Sequence, residues 1–193
     1  NDLGEFLGIF AGDGYMNKKE NYHYLMSVCI GYYEKDYADY LIKKFEYWFG
    51  KAPSINQIMY KSKPSAIVLY YYSKEIHLLI KKYLIWSGRK TYSVKLENFD
   101  LNEREFNIGF LRGLIDTDGN YYAPKKKISF STTSKNLGIQ AYKIIKYNLN
   151  LEPRWNEYQK EKRAVLYTIY LHGESTKKLM DKVRLANPHK IMR

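Results

Sequence analysis

The chain has 193 residues, enough for one compact domain or for two small domains that share a core. Its 32 lysines and arginines outnumber 20 aspartates and glutamates, so the net charge is +12 and a polyanionic partner is expected. The single cysteine, Cys29, excludes an intramolecular disulfide and a cysteine-rich zinc site.

Membrane partners are not expected from this sequence. No apolar run approaches the roughly 18 residues that span a bilayer, and no strongly basic amphipathic helix is evident. The near absence of cysteine is typical of an intracellular protein, with archaeal cytoplasm and an organelle not distinguished. The chain begins at Asn1 rather than Met, so N-terminal residues are expected to be missing.

The first predicted element is an apolar helix that ends in an Asp-Gly pair. Residues 6–14 read FLGIFAGDG, and the apolar positions recur at helical spacing. Glycine inside a helix costs about 1 kcal/mol relative to alanine, so Gly4 and Gly8 require a physical reason. Asp13 lies at the C-terminal end of this helix, where Gly14 would turn the chain out of the helix.

Strands and amphipathic helices then alternate up to residue 88. Strands are predicted where apolar and polar residues alternate, and helices where apolar residues recur every three or four positions. In chain order they are a strand over 24–32, a helix over 36–49 ended by Gly50, strands over 54–60 and 66–73, and a helix over 74–87 ended by Gly88.

The second half of the chain repeats the first. Residues 111–119 read LRGLIDTDG, so Asp118 follows Asp13 by 105 residues, and Gly109 and Gly113 match the two earlier glycines. A repeat at this spacing in so short a chain indicates two copies of one unit. The copies are assigned to an N-terminal repeat over 1–88 and a C-terminal repeat over 103–193, joined by a polar linker over 89–102.

The second motif helix has an entry signal, because Asn102 followed by Glu105 fits an N-terminal cap with a reciprocal acidic residue. The remaining elements are a strand over 127–133, a helix over 135–147 with Ser134 as its cap, strands over 154–159 and 165–172, and a helix over 175–185.

The glycines predict that the two motif helices touch. Glycines four residues apart lie on one helix face and allow a second helix to approach closely. The predicted contact positions are Gly4, Gly8, Gly109 and Gly113.

Close packing of these helices would bring Asp13 and Asp118 together. Both acids lie at C-terminal helix ends, where the macrodipole disfavours a carboxylate by roughly 0.3 to 1 kcal/mol. They also repel each other, and a bound divalent cation would remove both problems. One Asp-Gly after a helix is most often a turn, but the matched pair indicates a functional site.

At these residues the chain resembles the LAGLIDADG homing endonucleases in their single-chain form with two motifs. The second copy departs from the nine-letter signature at Arg112 and Thr117, and the first copy is looser but keeps the acid at the eighth position. The resemblance covers the whole chain. It implies an α/β (α+β) fold of two pseudo-symmetric αββαββα repeats with packed central motif helices and saddle-shaped antiparallel sheets.

The resemblance also implies an activity: a monomeric, magnesium-dependent endonuclease that makes a double-strand break in a long, asymmetric DNA target during intron homing. Mn²⁺ would substitute for Mg²⁺, and Ca²⁺ would support binding without cleavage. The metal site would use Asp13 and Asp118 with the adjacent Gly12 and Thr117, and the assisting catalytic candidates are Gln57, Lys126 and Lys127.

Strand alternation assigns a DNA-binding face. Apolar residues at alternate positions of the first strand of each half would face the core, and the small, polar or basic residues between them would face a major groove. A second register, offset by 100 residues, matches Asn56 with Asn156. The expected DNA contacts are Ser27, Cys29, Gly31, Asn56, Lys127, Ser129, Ser131 and Asn156.

Two alternatives remain open on the same fold. An RNA-binding intron maturase would keep the fold and the charge but assist splicing, with intron RNA as its partner. A non-cleaving DNA-binding regulator would have lost one or both carboxylates. The presence of both Asp13 and Asp118 favours the endonuclease.

Overall fold

The N-terminal half of the chain builds one antiparallel sheet together with helices. The computed structural model describes residues 1–18, 24–159, 161 and 163–191. The elements of this half are α1 (Asp2–Asp13), β1 (Gly14–Lys18), β2 (Tyr24–Gly31), α2 (Lys35–Phe49), β3 (Ser54–Tyr60), β4 (Lys63–Tyr72) and α3 (Lys74–Tyr83). The sheet has the strand order β1-β2-β4-β3.

The C-terminal half repeats this order after a short connection. Its sheet has the matching order β7-β8-β10-β9, again with antiparallel neighbours. The connection contains β5 (Leu84–Ile85), α4 (Lys90–Ser93) and β6 (Lys95–Leu96). The repeat itself contains α5 (Arg104–Asp118), β7 (Gly119–Tyr122), β8 (Lys127–Thr132), α6 (Lys135–Lys143), a π-helical turn (Ile144–Asn148), β9 (Arg154–Tyr158), β10 (Leu166–His172) and α7 (Glu174–Val183).

This architecture confirms the predicted fold class of two αββαββα repeats. The predicted strand over 54–60 coincides with β3, and Gly50 ends α2 in the left-handed conformation with φ 68°. Ser134 caps α6, since its hydroxyl accepts the N–H of Leu137. None of the helices among the described residues combines the length and the apolar character that crossing a bilayer requires.

Three local predictions were wrong. Strands β1 and β7 follow the motif helices directly and were not identified, because each is short. Helix α3 ends at Tyr83 rather than near Gly88, since Leu84 is buried in extended conformation and pairs with Leu96. Asn102 does not cap α5; Glu103 occupies the N-cap without a side-chain bond.

The glycines of α1 and α5 place the two helix backbones in direct contact. Every one of the four faces a backbone carbonyl oxygen of the other segment so closely that an added Cβ would overlap it. The predicted role of these glycines in helix packing therefore matches the geometry. The facing pairs are Gly4 with Phe106, Gly8 with Phe110, Gly109 with Asn1, and Gly113 with Glu5.

A buried ion pair crosses the same helix interface. The Glu5 side chain of α1 is fully buried, and its carboxylate accepts hydrogen bonds from the Tyr40 hydroxyl at 2.6 Å and from Arg112 of α5 at 3.2 Å. Arg112 also donates through Nε to the Val183 carbonyl at the end of α7. Arg112, at which the second motif departs from the nine-letter signature, therefore links α5 to both α1 and α7.

We expect Gly8→Ala and Gly113→Ala to lower the free energy of unfolding by more than about 3 kcal/mol, the upper end of ordinary overpacking. The added methyl group would force two backbones apart, although alanine is the better helix former by about 1 kcal/mol. Chemical denaturation measures the change. The control is Gly138→Ala, where the new Cβ meets the tip of the Trp155 ring at 3.0 Å and should cost less. A stabilised Gly8→Ala protein would contradict the close contact.

Candidate active site

The motif helices run in the same direction and end side by side. The contacts advance together along both helices, from Gly4 against Phe106 to Gly12 against Asp118. A Cβ added to Gly12 would lie 3.0 Å from Oδ2 of Asp118. Asp13 and Asp118, the last residues of α1 and α5, therefore lie at one shared end of the helix pair.

Gly14 and Gly119 make this end compact. Both residues are extended, with φ −78° and −75°, and their N–H groups donate to the carbonyls of Phe10 and Ile115. An added Cβ at either glycine would overlap the same carbonyl oxygen. Each chain therefore passes straight from helix into strand, and close approach rather than a left-handed turn explains the glycine.

Burial destabilises the charged form of both carboxylates. Burial is the main cause that raises the pKa of Asp13 from its ordinary 3.8 to about 7, and the neighbouring charge of Asp118 raises it further. The Asp118 side chain is more exposed, yet the crowding of protein atoms around its carboxylate also raises its pKa. The pair thus favours a bound proton or cation at this point.

Lys90 occupies the gap at the end of α1. Its ammonium group donates to the carbonyl oxygens of Phe10 at 2.7 Å, Ala11 at 3.0 Å and Gly12 at 2.9 Å. These are carbonyls of the last helical turn, so the lysine offsets the negative end of the helix dipole. Burial lowers the pKa of Lys90 to about 8, against the opposing effect of Asp118 and Asp13.

A second lysine, in the C-terminal segment, acts on the two acids through its charge. Lys190 lies in a 3₁₀ turn (Pro188–Lys190), and its charge lowers the pKa of both Asp13 and Asp118. Its ammonium group is mostly buried and forms an ion pair with Glu34 at 3.2 Å. Two cations from separate segments therefore flank the paired acids.

The two predicted auxiliary metal contacts are engaged elsewhere. The Gly12 carbonyl accepts a hydrogen bond from Lys90, as described above. The Thr117 hydroxyl turns back onto its own helix and donates to the carbonyls of Gly113 at 2.9 Å and Leu114 at 3.2 Å. Only the Asp13 and Asp118 carboxylates of the predicted metal set are thus presented toward one another.

A hard cation fits this arrangement. The described part of the chain contains no group of three or more His, Cys, Asp and Glu side chains that could hold a metal ion. Mg²⁺ is commonly bound through one or two carboxylates and keeps water and substrate oxygens as its other ligands. The two carboxylates of Asp13 and Asp118 meet that requirement.

The structure does not bring the predicted helpers Gln57 and Lys127 to the acids. Gln57 lies on the edge strand β3 and pairs with buried Ile67, so it is on the helix side of the sheet. Lys127 pairs with Tyr122, three residues or about 10 Å along β7 from the acid-bearing end. Lys126 lies in the turn before β8 with φ 42°.

The predicted DNA-binding residues lie on the sheet faces opposite the core. In the first sheet Asn56 pairs with Val68, which pairs with Cys29. In the second sheet Asn156 pairs with Thr168, whose hydroxyl is 2.9 Å from the Ser131 hydroxyl. The eight residues fall on two faces: Ser27, Cys29, Gly31 and Asn56 on one, and Lys127, Ser129, Ser131 and Asn156 on the other.

The two faces differ in chemistry. By register, the N-terminal face adds tyrosines that include Tyr15, which is 55% exposed, and Tyr72, which is 61% exposed. The C-terminal face adds the exposed Arg154 and His172, and Lys127 lies 4.2 Å above the ring of Tyr170. The second face is therefore the more basic of the two.

Sequence reasoning missed Lys90 and Lys190, although a signal existed. The two lysines are related by the same offset of 100 residues that matches Asn56 with Asn156. Lys90 itself falls in a polar stretch without periodicity, which gives no local sign of a site. Lys190 follows the last predicted helix, where no motif marks it.

Comparisons with known proteins agree with this geometry. Residues 105–184 match the family model described as a LAGLIDADG-like domain. A search among curated proteins gives no match.

The whole chain also resembles solved structures in fold. Mesophilic variants of the homing endonuclease I-DmoI superpose with a TM-score of 0.69 at 14% identity, over 94% of either chain. I-WcaI bound to its DNA recognition sequence gives 0.64 at 16% identity, over 100% of this chain and 84% of that one. The N-terminal LAGLIDADG domain of WhiA gives 0.62 at 15% identity, over 94% and 80%.

The resemblance drawn from the two sequence motifs is thus confirmed. Residues 105–184 thus match a LAGLIDADG-like domain, and the chain as a whole shares the fold of the two homing endonucleases I-DmoI and I-WcaI.

Proposed function

We propose that this protein is a site-specific endonuclease that hydrolyses both strands of a long DNA duplex with the help of Mg²⁺. The observation that carries the proposal is the pairing of Asp13 and Asp118 at the shared end of the motif helices, flanked by Lys90 and Lys190. Structures of I-DmoI with DNA and Ca²⁺ or Mn²⁺ support both DNA and a divalent metal as partners of this fold.

The two carboxylates would hold the metal, and the rest of the site would hold the DNA. Divalent ions bound there would supply an activated water and would stabilise the leaving oxygen. Asp13 and Asp118 would bind and orient the divalent ion. Their raised pKa values make a cation or a proton the favoured occupant of the space between them. Lys90 and Lys190 balance the negative charge that a scissile phosphate adds beside them.

The sheet faces would position the duplex. A major groove admits a two-stranded β-ribbon, and the net charge of +12 favours the phosphate backbone. Since the faces around Cys29 and Ser131 carry different side chains, the preferred target is asymmetric. A single chain of this kind acts as a monomer, because it already contains both motif helices.

A non-cleaving DNA-binding role is the second candidate. The observation in its favour is that the fold likeness extends to WhiA as well as to the homing endonucleases. An RNA-binding maturase would use the same positive charge. Selection of cleaved molecules from a randomised DNA pool, in the presence of Mg²⁺, separates cleavage from either alternative, because only an endonuclease enriches a cut sequence.

We expect Asp13→Asn and Asp118→Asn each to abolish double-strand cleavage while DNA affinity changes little. The carboxylates hold metal rather than supply affinity, and Ca²⁺ should support binding without cleavage because its coordination is looser. Plasmid linearisation and gel-shift titration measure the two effects. Asp181→Asn, an exposed carboxylate on α7, serves as the matched control. Wild-type cutting rates in either site variant would refute the paired-acid mechanism.

We expect the metal-free stability of the protein to depend on the protonation of Asp13. A carboxyl whose folded-state pKa is raised from 3.8 to about 7 stabilises the fold fully below about pH 4, and this contribution is lost as the pH rises through about 7. The Tm of Asp13→Asn should therefore rise relative to that of the wild type between about pH 5 and pH 8. Thermal melts without metal measure it.

The same melts with Mg²⁺ provide the complementary result. Protons compete with the cation for the carboxylates, so Mg²⁺ should raise the wild-type Tm more at about pH 8 than at about pH 5. Asp181→Asn is again the control, and it should follow the wild-type profile. A Tm difference between Asp13→Asn and wild type that stays constant with pH would contradict the raised pKa.

We expect Lys127→Ala to weaken binding to all sequences alike and to reduce the salt dependence of binding by about one counterion. Lys127 ends a run of three lysines and lies away from the acids, which favours a phosphate contact. Profiling of all single-base target variants, with gel-shift titration at several salt concentrations, measures the effect. Relaxed preference at one base pair would instead show a base contact.

A further inference from the structure

A third acid of the motif helix α5 binds the segment that carries Lys190. Asp116 is fully buried, and its Oδ1 accepts the backbone N–H groups of Ala186 and Asn187, each at 3.0 Å. The carboxylate thus faces the chain that follows α7. It fixes the start of the turn in which Lys190 lies.

Asn187 extends this anchor to the other repeat. Its side-chain amide donates to the Asp116 carbonyl at 2.8 Å and to Glu34 at 2.9 Å, and its Oδ1 accepts the N–H of His189 at 3.1 Å. Glu34, just before α2, is in turn the ion-pair partner of Lys190. Hydrogen bonds thus join Asp116, Asn187 and Glu34, and the ion pair joins Glu34 to Lys190.

The first repeat holds its lysine in a different way. Ala11 stands where the second repeat has Asp116, so the equivalent carboxylate does not exist. Lys90 is instead fixed by the three carbonyls at the end of α1. The two lysines are therefore positioned by unrelated contacts, although the repeats share one fold.

We propose that Asp116, Asn187 and Glu34 form a positioning relay that sets Lys190 at one of the two cleavage centres, and that this relay controls the cutting of one DNA strand only. The inference rests on the proposed endonuclease function. Each strand would be served by its own lysine, so damage to the relay converts the double-strand cutter toward a nickase for the other strand.

The relay acts through geometry. Oε1 of Glu34 contacts both the Asn187 side-chain amide and the Lys190 ammonium group. Loss of the Asn187 amide therefore releases both the turn and the carboxylate that holds the lysine. Misplacement of a charged group by about 1 Å can reduce a rate by up to about 100-fold. The strand served by Lys90 should keep its rate, since none of these hydrogen bonds and no atom of this ion pair belongs to α1.

The experiment compares single-turnover cleavage of the two strands of one selected target, each labelled with a different fluorophore. Lys190→Met and Lys90→Met first identify the strand that each lysine serves. Asn187→Ala should then slow the Lys190 strand by between about tenfold and 100-fold and leave the other strand near its wild-type rate. Glu34→Gln, which retains an acceptor for Asn187 but loses the charge, should slow the same strand.

Glu152→Gln is the matched control in the same repeat, because it removes an exposed ion pair with Lys146 and should change neither rate. The relay would be overturned if Asn187→Ala and Glu34→Gln slowed both strands equally, slowed the Lys90 strand, or changed neither rate. Cleavage by the wild-type protein would still uphold the endonuclease function. A wild-type protein that cuts no DNA would overturn the proposed function and the relay with it.

Discussion

The backbone contact between α1 and α5 is the constraint from which the rest of the structure follows. Because a Cβ at Gly8 or Gly113 would overlap a carbonyl of the facing helix, the two helices can approach only through glycine. Their parallel course then fixes the positions of Asp13 and Asp118. The buried pair of Glu5 and Arg112 adds a charge contact across the same interface, so neither helix can shift without loss of both packing and electrostatic complementarity.

The close approach of the two helices concentrates negative charge at their ends. Lysines from distant segments of the chain offset this charge. Two helix C-termini and two carboxylates meet at one point, where burial raises the pKa of Asp13 to about 7. The same burial lowers the pKa of Lys90 to about 8, while the acids act in the opposite direction. Lys90 and the acids therefore each make the other's charged form more favourable. A site balanced in this way accepts a cation readily, which is the physical basis of the proposed chemistry.

The sequence was sufficient for the parts that depend on local pattern and on repetition. Glycine spacing predicted the helix contact, and alternation predicted the buried faces of β2 and β8. Contacts between distant segments left weaker signals, since a lysine such as Lys90 carries no mark of the carbonyls it will meet. The prediction for Gln57 failed for a different reason. Gln57 neighbours Asn56 on β3, and adjacent residues of a strand cannot share a face. Only one of those two could ever have reached the DNA side.

Pseudo-symmetry in one chain allows the two halves to diverge around a common frame. The motif helices must stay alike, since each supplies half of the glycine contact. The elements outside that contact are under no such restriction: one lysine is held by helix carbonyls, whereas the other is held by Glu34 from the opposite repeat. The sheet faces differ in the same sense, with tyrosines on the first and more basic residues on the second. A homodimer of a single repeat would have to change both halves at once, so joining the repeats is what permits one fold to present two different surfaces and two differently supported acid centres.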